Sequence, residues 1–290
     1  MTASTPSPAR QPAARIFDIV VAGAGPAGLS FAAAVKQALG SGVSIAVVDP
    51  RPGAGDGRLR TVALAAGPRH LIERVGAWEA LEPQTQPILQ MAIFDGRVSD
   101  AVRLEHLTFD AREGEPLAHM AFNDDIAAAL AQSAARLGVE TIKGAVSGFA
   151  PGRDAARIEL SGGEVLRARL VVGADGVRSK LRALAEIPTV GWDTGQSGIV
   201  ATVAHERDHH GRAEQHFLPA GPFAILPMAG RQSSIVWNES HADAEALLAL
   251  APDDLLRQLE RRFTLKLGAI HLASRVQAFP FSFRFARRFV

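Results

Sequence analysis

Residues 16–22 (IFDIVVA) form an apolar, largely β-branched run with glycine next, the pattern of a strand buried on both faces in a parallel sheet. Pro26–Leu39 then predicts a helix, with proline in its first turn and Gly40 just past its end. Val43–Val48 predicts the next strand and Asp49 closes it, so the chain opens as a βαβ unit. Arg51–Arg60 reads as a Gly- and Arg-rich loop. Val62–Val75 predicts a helix, because Leu64, His70, Leu71 and Val75 recur near helical spacing. Ile88–Phe94 alternates as a strand does and ends at the turn Asp95-Gly96. Asn123–Leu137 predicts a strong helix. Asn123 suits the N-cap, Asp124 and Asp125 sit where the helix dipole favours acids, and Gly138 supplies the stop.

The texture changes downstream. Arg157–Leu160 and Val165–Arg169 predict a hairpin around Ser161-Gly162-Gly163, and Leu170–Gly173 a further buried strand. From Trp192 onward strands alternate at Gly198–His205, Glu214–Leu218, Ala224–Pro227 and Ser233–Trp237, as in an antiparallel sheet beside a parallel one. Ala242–Phe263 reads as mostly helical. Phe279, Phe281, Phe283 and Phe285 alternate with period two, which on a strand predicts one phenylalanine face in the core; left bare, that face would be a partner surface.

Composition narrows the function classes. The chain has 290 residues, 47% hydrophobic and 21% charged, with net charge +1, so no electrostatic footprint for nucleic acid exists. It has no cysteine, which excludes disulfides, thiolate metal sites and cysteine nucleophiles. No run reaches the ~18 apolar residues of a membrane-spanning helix. Residues 1–15, rich in Ser, Thr, Pro and Ala without an apolar core, read as a disordered arm rather than a secretory signal. His205, His209, His210 and His216 match no metal-ligand spacing and read as an exposed loop, so no metal site is expected.

The first chemical signature is Gly23-Ala24-Gly25-Pro26-Ala27-Gly28. Gly23 permits the tight turn after the strand, Gly25 lets backbone approach a pyrophosphate, and Gly28 permits close helix–strand packing. Free amides and the positive dipole end of the helix face the phosphates. Asp49 is placed to accept hydrogen bonds from ribose hydroxyls. The fingerprint serves NAD and FAD alike.

A second segment, Val171-Val172-Gly173-Ala174-Asp175-Gly176-Val177-Arg178-Ser179-Lys180-Leu181-Arg182, resembles the Asp-Gly motif of group A flavoprotein monooxygenases. Arg60-Thr61-Val62-Ala63-Leu64 is similar to a segment of the ubiquinone-biosynthesis hydroxylase family. So are Trp192-Asp193-x-Gly195-Gln196, Phe217-Leu218-Pro219-x-Gly221-Pro222-Phe223-Ala224-x-Leu226-Pro227 and Val236-Trp237. The resemblance covers residues 17–290. It implies an α/β fold, a Rossmann-like FAD-binding domain with an inserted antiparallel-sheet substrate domain. The FAD domain is expected over 16–75 and 104–184, the substrate domain over 76–103 and 185–285, with 286–290 beginning a return to the FAD domain.

By the same resemblance, FAD is the cofactor and NAD(P)H the electron donor. Gly23, Gly25, Gly28 and Asp49 would hold the ADP half of FAD, Arg60 would approach the flavin side, Asn123 would lie near the cofactor, and Asp175 and Gly176 would complete the pyrophosphate side. Phe217, Pro219, Gly221 and Pro222 would wall the substrate. The implied reaction is hydroxylation of a prenylated phenol or quinol with O2, and no single side chain is assigned as catalytic. Implied partners are the small aromatic or quinol substrate, with peripheral membrane contact or other biosynthetic subunits. The location would be cytoplasmic or peripheral on the inner membrane. Two departures stand out. Thr194 occupies a place where the family often has tyrosine, and this chain has no tyrosine. Phe279–Val290 resembles the stretch before the family's Gly-Asp motif, but that motif does not follow, so a truncated form is expected, or partner chains that supply the rest. An impaired FAD-binding homologue and a flavin-dependent reductase of the same fold stay open.

Overall fold

A computed structural model describes residues 14–290 apart from 54, 56, 58, 59, 101, 113 and 265. The expected arm at 1–15 lies outside the described residues except for its last two, and Arg15 already belongs to the first strand. In chain order, β1 (Arg15–Ala22), α1 (Pro26–Leu39) and β2 (Ile45–Asp49) come first. Then follow β3 (Thr61–Leu64), α2 (Ala66–Arg74), α3 (Trp78–Leu81), β4 (Gln86–Ile88), β5 (Gln90–Asp95), β6 (Leu104–Asp110), β7 (Ala118–Phe122) and α4 (Asn123–Arg136). Next are β8 (Glu140–Lys143), β9 (Val146–Ala150), β10 (Ala156–Leu160), β11 (Val165–Gly173) and α5 (Lys180–Leu184). The last stretch holds β12 (Thr189–His205), β13 (Arg212–Leu218), β14 (Gly221–Met228), β15 (Gln232–Ser240), α6 (His241–Leu248), α7 (Pro252–Phe263), β16 (Ile270–Leu272) and β17 (Gln277–Ala286).

Contacts divide the chain into two units. The first takes residues up to 52, 134–188 and Val290. Its sheet runs β8-β2-β1-β11-β10-β9, parallel from β8 to β11 and antiparallel from β11 to β9. β1 and β2 are near-continuous apolar runs because both faces are covered: the successive residues Val20 and Val21, and Ala46 and Val47, which point to opposite faces, are all fully buried. Phe17, Val48, Ile142, Ile158 and Leu166 form its core.

The second unit takes 53–133 and 189–289, so 53–75 and 104–133 pack here. Its main sheet runs β16-β12-β15-β14-β13-β5-β6, with β17 also on β12; only β13 and β5 pair in parallel. A small sheet, β3-β7-β4, accompanies it. Helices α6 and α7 cover one face. Ala244, Leu255, Leu259 and Phe263 meet Ile199, Phe223, Ile235 and Trp237 in a buried cluster.

Four local expectations change. Val62–Val75 is not one helix: Thr61–Leu64 is a strand paired antiparallel with β7, Ala65 is extended, and the helix starts at Ala66. Pairing with a neighbouring strand overrode the helical spacing. Leu170–Gly173 is not a separate buried strand but the end of β11, and Leu170 stays half exposed. The histidines are not an exposed loop, for only His210 is at the surface. His205 bonds Ser233 Oγ at 3.1 Å, and His209 bonds the Met228 carbonyl at 2.8 Å, while His216 pairs with Glu214. With both ring nitrogens partnered, an imidazole can be buried at low cost. The phenylalanine face is not core. Phe279, Phe283 and Phe285 are each exposed by more than a third, because it is the opposite face of β17, at Ala278, that packs against the buried cluster.

Candidate functional site

In the first unit the chain leaves β1 at Ala22 and turns at Gly23, whose φ of +108° lies where a side chain would be strained. A Cβ there would stand 2.3 Å from the Ala174 carbonyl oxygen. At Gly28 a Cβ would stand 2.0 Å from the Gly23 carbonyl oxygen. At Gly25 nothing lies within 4 Å. Thus two glycines let protein pack on protein and the middle one borders open space. Helix α1 starts on Gly25 with Pro26 at its head, no side chain capping it and no acid in its first turn. Its amides are therefore oriented for an anion, as a pyrophosphate requires. The cradle fits the diphosphate of a dinucleotide.

Asp49, at the end of β2, accepts from the Ala24 amide at 2.9 Å and from the Arg51 amide at 2.8 Å. It thereby fixes the glycine loop from the neighbouring strand, and each carboxylate oxygen keeps a lone pair for a further donor. Ala174 N–H donates to the Ala22 carbonyl at 2.7 Å, so the Asp-Gly turn leaves β11 beside the glycine loop. Gly176 takes a φ of +85°. The Asp175 carboxylate accepts from Ser179 Oγ, and from the Lys180 and Leu181 amides at 2.7 and 3.1 Å, so it caps α5. Ser179 in turn accepts from the Arg182 amide.

The remaining expected residues lie in the second unit. The Asn123 amide donates to the Arg60 carbonyl at 3.0 Å, so the pair sits at one end of the β3–β7 ladder, with Arg60 exposed. The Gly57 amide donates to Asp124 Oδ2 at 3.1 Å, which holds the preceding loop against the first turn of α4. Phe217, next to last in β13, is half exposed, Pro219 is exposed in the turn, and Gly221 and Pro222 open β14. Phe217 and Pro219 line a cavity of about 570 Å³ with Asp95, Arg97, Asp100 and His106. Gly221, at φ +140°, is glycine because a Cβ would stand 2.9 Å from the Asn238 Cβ.

The second unit also holds a buried charge network that the motifs did not disclose. His216 Nε2 bonds Glu214 Oε2 at 3.0 Å, and its Nδ1 lies 3.3 Å from Arg103 Nη1. Arg103 also donates to the Arg262 and Arg261 carbonyls at the end of α7, at 2.7 and 3.0 Å. Burial pushes the Glu214 carboxyl up, but hydrogen bonding to His216 and the nearby Lys266 ammonium outweigh it and leave it at about 2. Its members come from β13, α7 and the segments before β6 and after α7, so no short pattern announces it. Among the described residues, no group of three or more His, Cys, Asp or Glu is placed to hold a metal ion.

A glycine cradle between a parallel strand and an uncapped helix, with an acid at the end of the next strand, defines a dinucleotide-binding α/β protein. Comparison with known proteins names the dinucleotide. The FAD binding domain family matches residues 17–289, and the chain belongs to that family; its cofactor is FAD. It is 36% identical to the ubiquinone hydroxylase UbiL of Rhodospirillum rubrum over 99% of its own length and 67% of that protein. It is 29% identical to the 3-demethoxyubiquinol 3-hydroxylase of Escherichia coli, covering 94% of this chain and 70% of the other. It thus groups with the ubiquinone hydroxylases, spanning about two thirds of these two relatives. The p-nitrophenol 4-monooxygenase PnpA of Pseudomonas putida superposes with TM-score 0.73 at 18% identity, covering 94% of this chain and 70% of that one. Aklavinone-11 hydroxylase, in a complex with FAD and aklavinone, superposes with TM-score 0.72 at 20% identity, over 94% and 55%. These two share the fold.

Proposed function

We propose that this chain carries the FAD-binding and substrate-binding portions of a monooxygenase that hydroxylates an aromatic ring, a prenylated phenol or quinol of ubiquinone biosynthesis. NAD(P)H is the electron donor and O2 the oxygen source. The observation that supports this most is the Gly23–Gly28 cradle, sterically closed at its outer glycines and open at Gly25, in a chain similar to ubiquinone hydroxylases over nearly its whole length. FAD, when held by these residues, would supply the redox chemistry of an NAD(P)H- and O2-dependent hydroxylation.

The chain's own residues bind and orient. Gly25 and the first amides of α1 receive the pyrophosphate, and Asp49 accepts from the ribose hydroxyls. Gly23 and Gly28 shape the loop, while Asp175 and Gly176 shape the turn beside it. Arg60 and Asn123 serve the flavin side. Phe217, Pro219, Gly221 and Pro222 face the aromatic substrate and exclude water from it. Cofactor binding is assigned to 16–75 and 104–184, and substrate binding to 76–103 and 185–285, with 286–290 leading back. A prenylated substrate partitions into the bilayer, so the chain would meet it by peripheral contact at the membrane face. No helix among the described residues is long and apolar enough to cross a membrane.

Two measurements test the reading. Purified protein reconstituted with FAD and freed of excess should keep flavin absorption. NAD(P)H oxidation should then be stimulated by a phenol, with one O2 consumed and one hydroxylated product formed per NAD(P)H. Substrate reduction without oxygen uptake would make the chain a reductase instead.

A further inference from the structure

The register between β12 and β17 breaks once. Asp193 pairs with Ser282 and Ser197 with Pro280, so β12 carries two extra residues between these pairs. This bulge, Thr194–Gln196, falls within the Trp192-Asp193-x-Gly195-Gln196 segment singled out in the sequence. Gly195 sits at φ +74°, a backbone that a side chain would strain. Side chains brace the bulge from within and tie it to neighbouring elements. Asp193 Oδ1 accepts from the Gly195 amide at 2.7 Å. Thr194 Oγ1 donates to the Phe281 carbonyl of β17 at 2.9 Å. Gln196 Nε2 donates to the Ala220 carbonyl at 3.2 Å, in the turn between Pro219 and Gly221.

One side chain closes this set from outside. His241, the first residue of α6, reaches Asp193 Oδ1 with Nε2 at 2.7 Å and Ser197 Oγ with Nδ1 at 2.8 Å. It therefore grips both ends of the bulge. Asp193 can only accept, so Nε2 carries a proton toward it. Ser197 can donate or accept, so the grip tolerates either protonation state of the ring. The Ser–His–Asp order invites comparison with a nucleophilic triad, but Ser197 is only 6% exposed and lies in the paired body of β12. A serine that no carbonyl can reach does not attack one.

We propose that His241 is a positioning residue for the aromatic substrate. It fixes the 193–197 bulge through Asp193 and Ser197, and the bulge, through Gln196, fixes the 219–222 turn. This rests on the reading of that turn as substrate wall. Holding such a wall in place acts on substrate orientation and leaves the FAD cradle untouched.

Asparagine and glutamine separate the two grips. The Asn amide reaches the place of Nδ1 and keeps the Ser197 bond, whereas the Gln amide reaches the place of Nε2 and keeps the Asp193 bond. His241→Asn and Asp193→Ala should each raise KM for a phenol substrate about tenfold with a smaller change in kcat, and the double variant no further than either alone. His241→Gln should recover most of the loss. FAD affinity should match wild type throughout. Hydrogen exchange monitored by mass spectrometry supplies a readout independent of turnover. Peptides covering 190–198 and 218–224 should exchange faster in His241→Asn and not in His241→Gln. Unchanged exchange in both peptides, or faster exchange with unmoved KM, would overturn the proposal. If the wild-type chain itself shows no phenol-stimulated oxygen uptake, the monooxygenase reading falls, and the exchange data still decide whether His241 grips the bulge.

Discussion

Two glycine-centred turns in this protein are built alike and held differently. Residues 23–28 and 193–197 each bend at a glycine of positive φ, +108° at Gly23 and +74° at Gly195. Each is braced by a carboxylate that accepts an amide of the bend, Asp49 from Ala24 and Asp193 from Gly195. The first turn is otherwise defined by backbone against backbone, since Gly23 and Gly28 approach carbonyls where no Cβ fits. The second is held by side chains that reach three other elements, with His241, the Phe281 carbonyl and the Ala220 carbonyl at the far ends. Steric closure needs glycine at fixed spacing and tolerates nothing else. A side-chain clasp depends on partners tens of residues away and is weakened, not destroyed, by losing one of them.

The largest expected effect tests that contrast within the first turn. Gly28→Val should abolish FAD retention and lower the unfolding temperature sharply, because its Cβ would overlap the Gly23 carbonyl and force the helix off the strand. Gly25→Val should leave the melting temperature of the FAD-free protein within about 2 °C of wild type while weakening FAD binding at least about tenfold. Thermal unfolding without cofactor and flavin titration separate the two variants. Equal losses of stability in both would break the distinction between a packing glycine and a ligand-facing one.

The next effect lies with the side-chain networks of the second unit. Glu214 ionises at about 2 in the fold, against an ordinary value of 4.5. Since the folded value is the lower one, its contribution is complete above about pH 4.5 and disappears as the pH falls toward 2. The shift corresponds to roughly 3 kcal/mol, as an order of magnitude. Glu214→Gln should therefore be less stable than wild type in urea at pH 7, and the gap should narrow between pH 4.5 and 2. A gap that stays constant down to pH 2 would show that the charge of Glu214 contributes nothing and that its packing alone matters.

The same contrast explains how far the sequence could be read. The β1–α1–β2 opening was legible because its rules act within a short stretch: apolar run, glycine spacing, Pro26 at the helix head, Asp49 at the strand end. Val62–Leu64 has helical spacing yet is strand, since its strand character comes from β7, nearly sixty residues on, which no local window contains. Arg103 and His241 carry no signal for a related reason. Arg103 finds its partners at the end of α7 and on β13, and His241 finds its partners on β12, all more than forty residues away. A lone histidine or arginine beside a strand has the same spacing whether it is buried or exposed. The phenylalanine alternation of β17 correctly announced a strand but not its surroundings, because periodicity reports which side chains share a face and not what covers it.

Asp175 allows the finest test, because there a motif residue and a long-range reading can diverge. The resemblance places it on the pyrophosphate side. Its carboxylate already receives Ser179 Oγ and the amides of Lys180 and Leu181, so its bonds are those of a helix cap, and the Asp-Gly turn would serve the cofactor through its shape. Ser179→Ala removes the hydroxyl that both supports Asp175 and accepts from the Arg182 amide. Loss of such a cap costs about 1 kcal/mol. If the turn acts through shape, Ser179→Ala should lower stability by about that amount and weaken FAD binding by no more than about threefold, since Asp175 keeps two amide partners and Gly176 keeps its turn. Urea unfolding and flavin titration of the same preparation read both quantities. A tenfold loss of FAD affinity with unchanged stability would mean that Ser179 and Asp175 meet the cofactor directly. The Asp-Gly turn would then owe its residues to the ligand, as is proposed for Gly25, and not to the packing of α5.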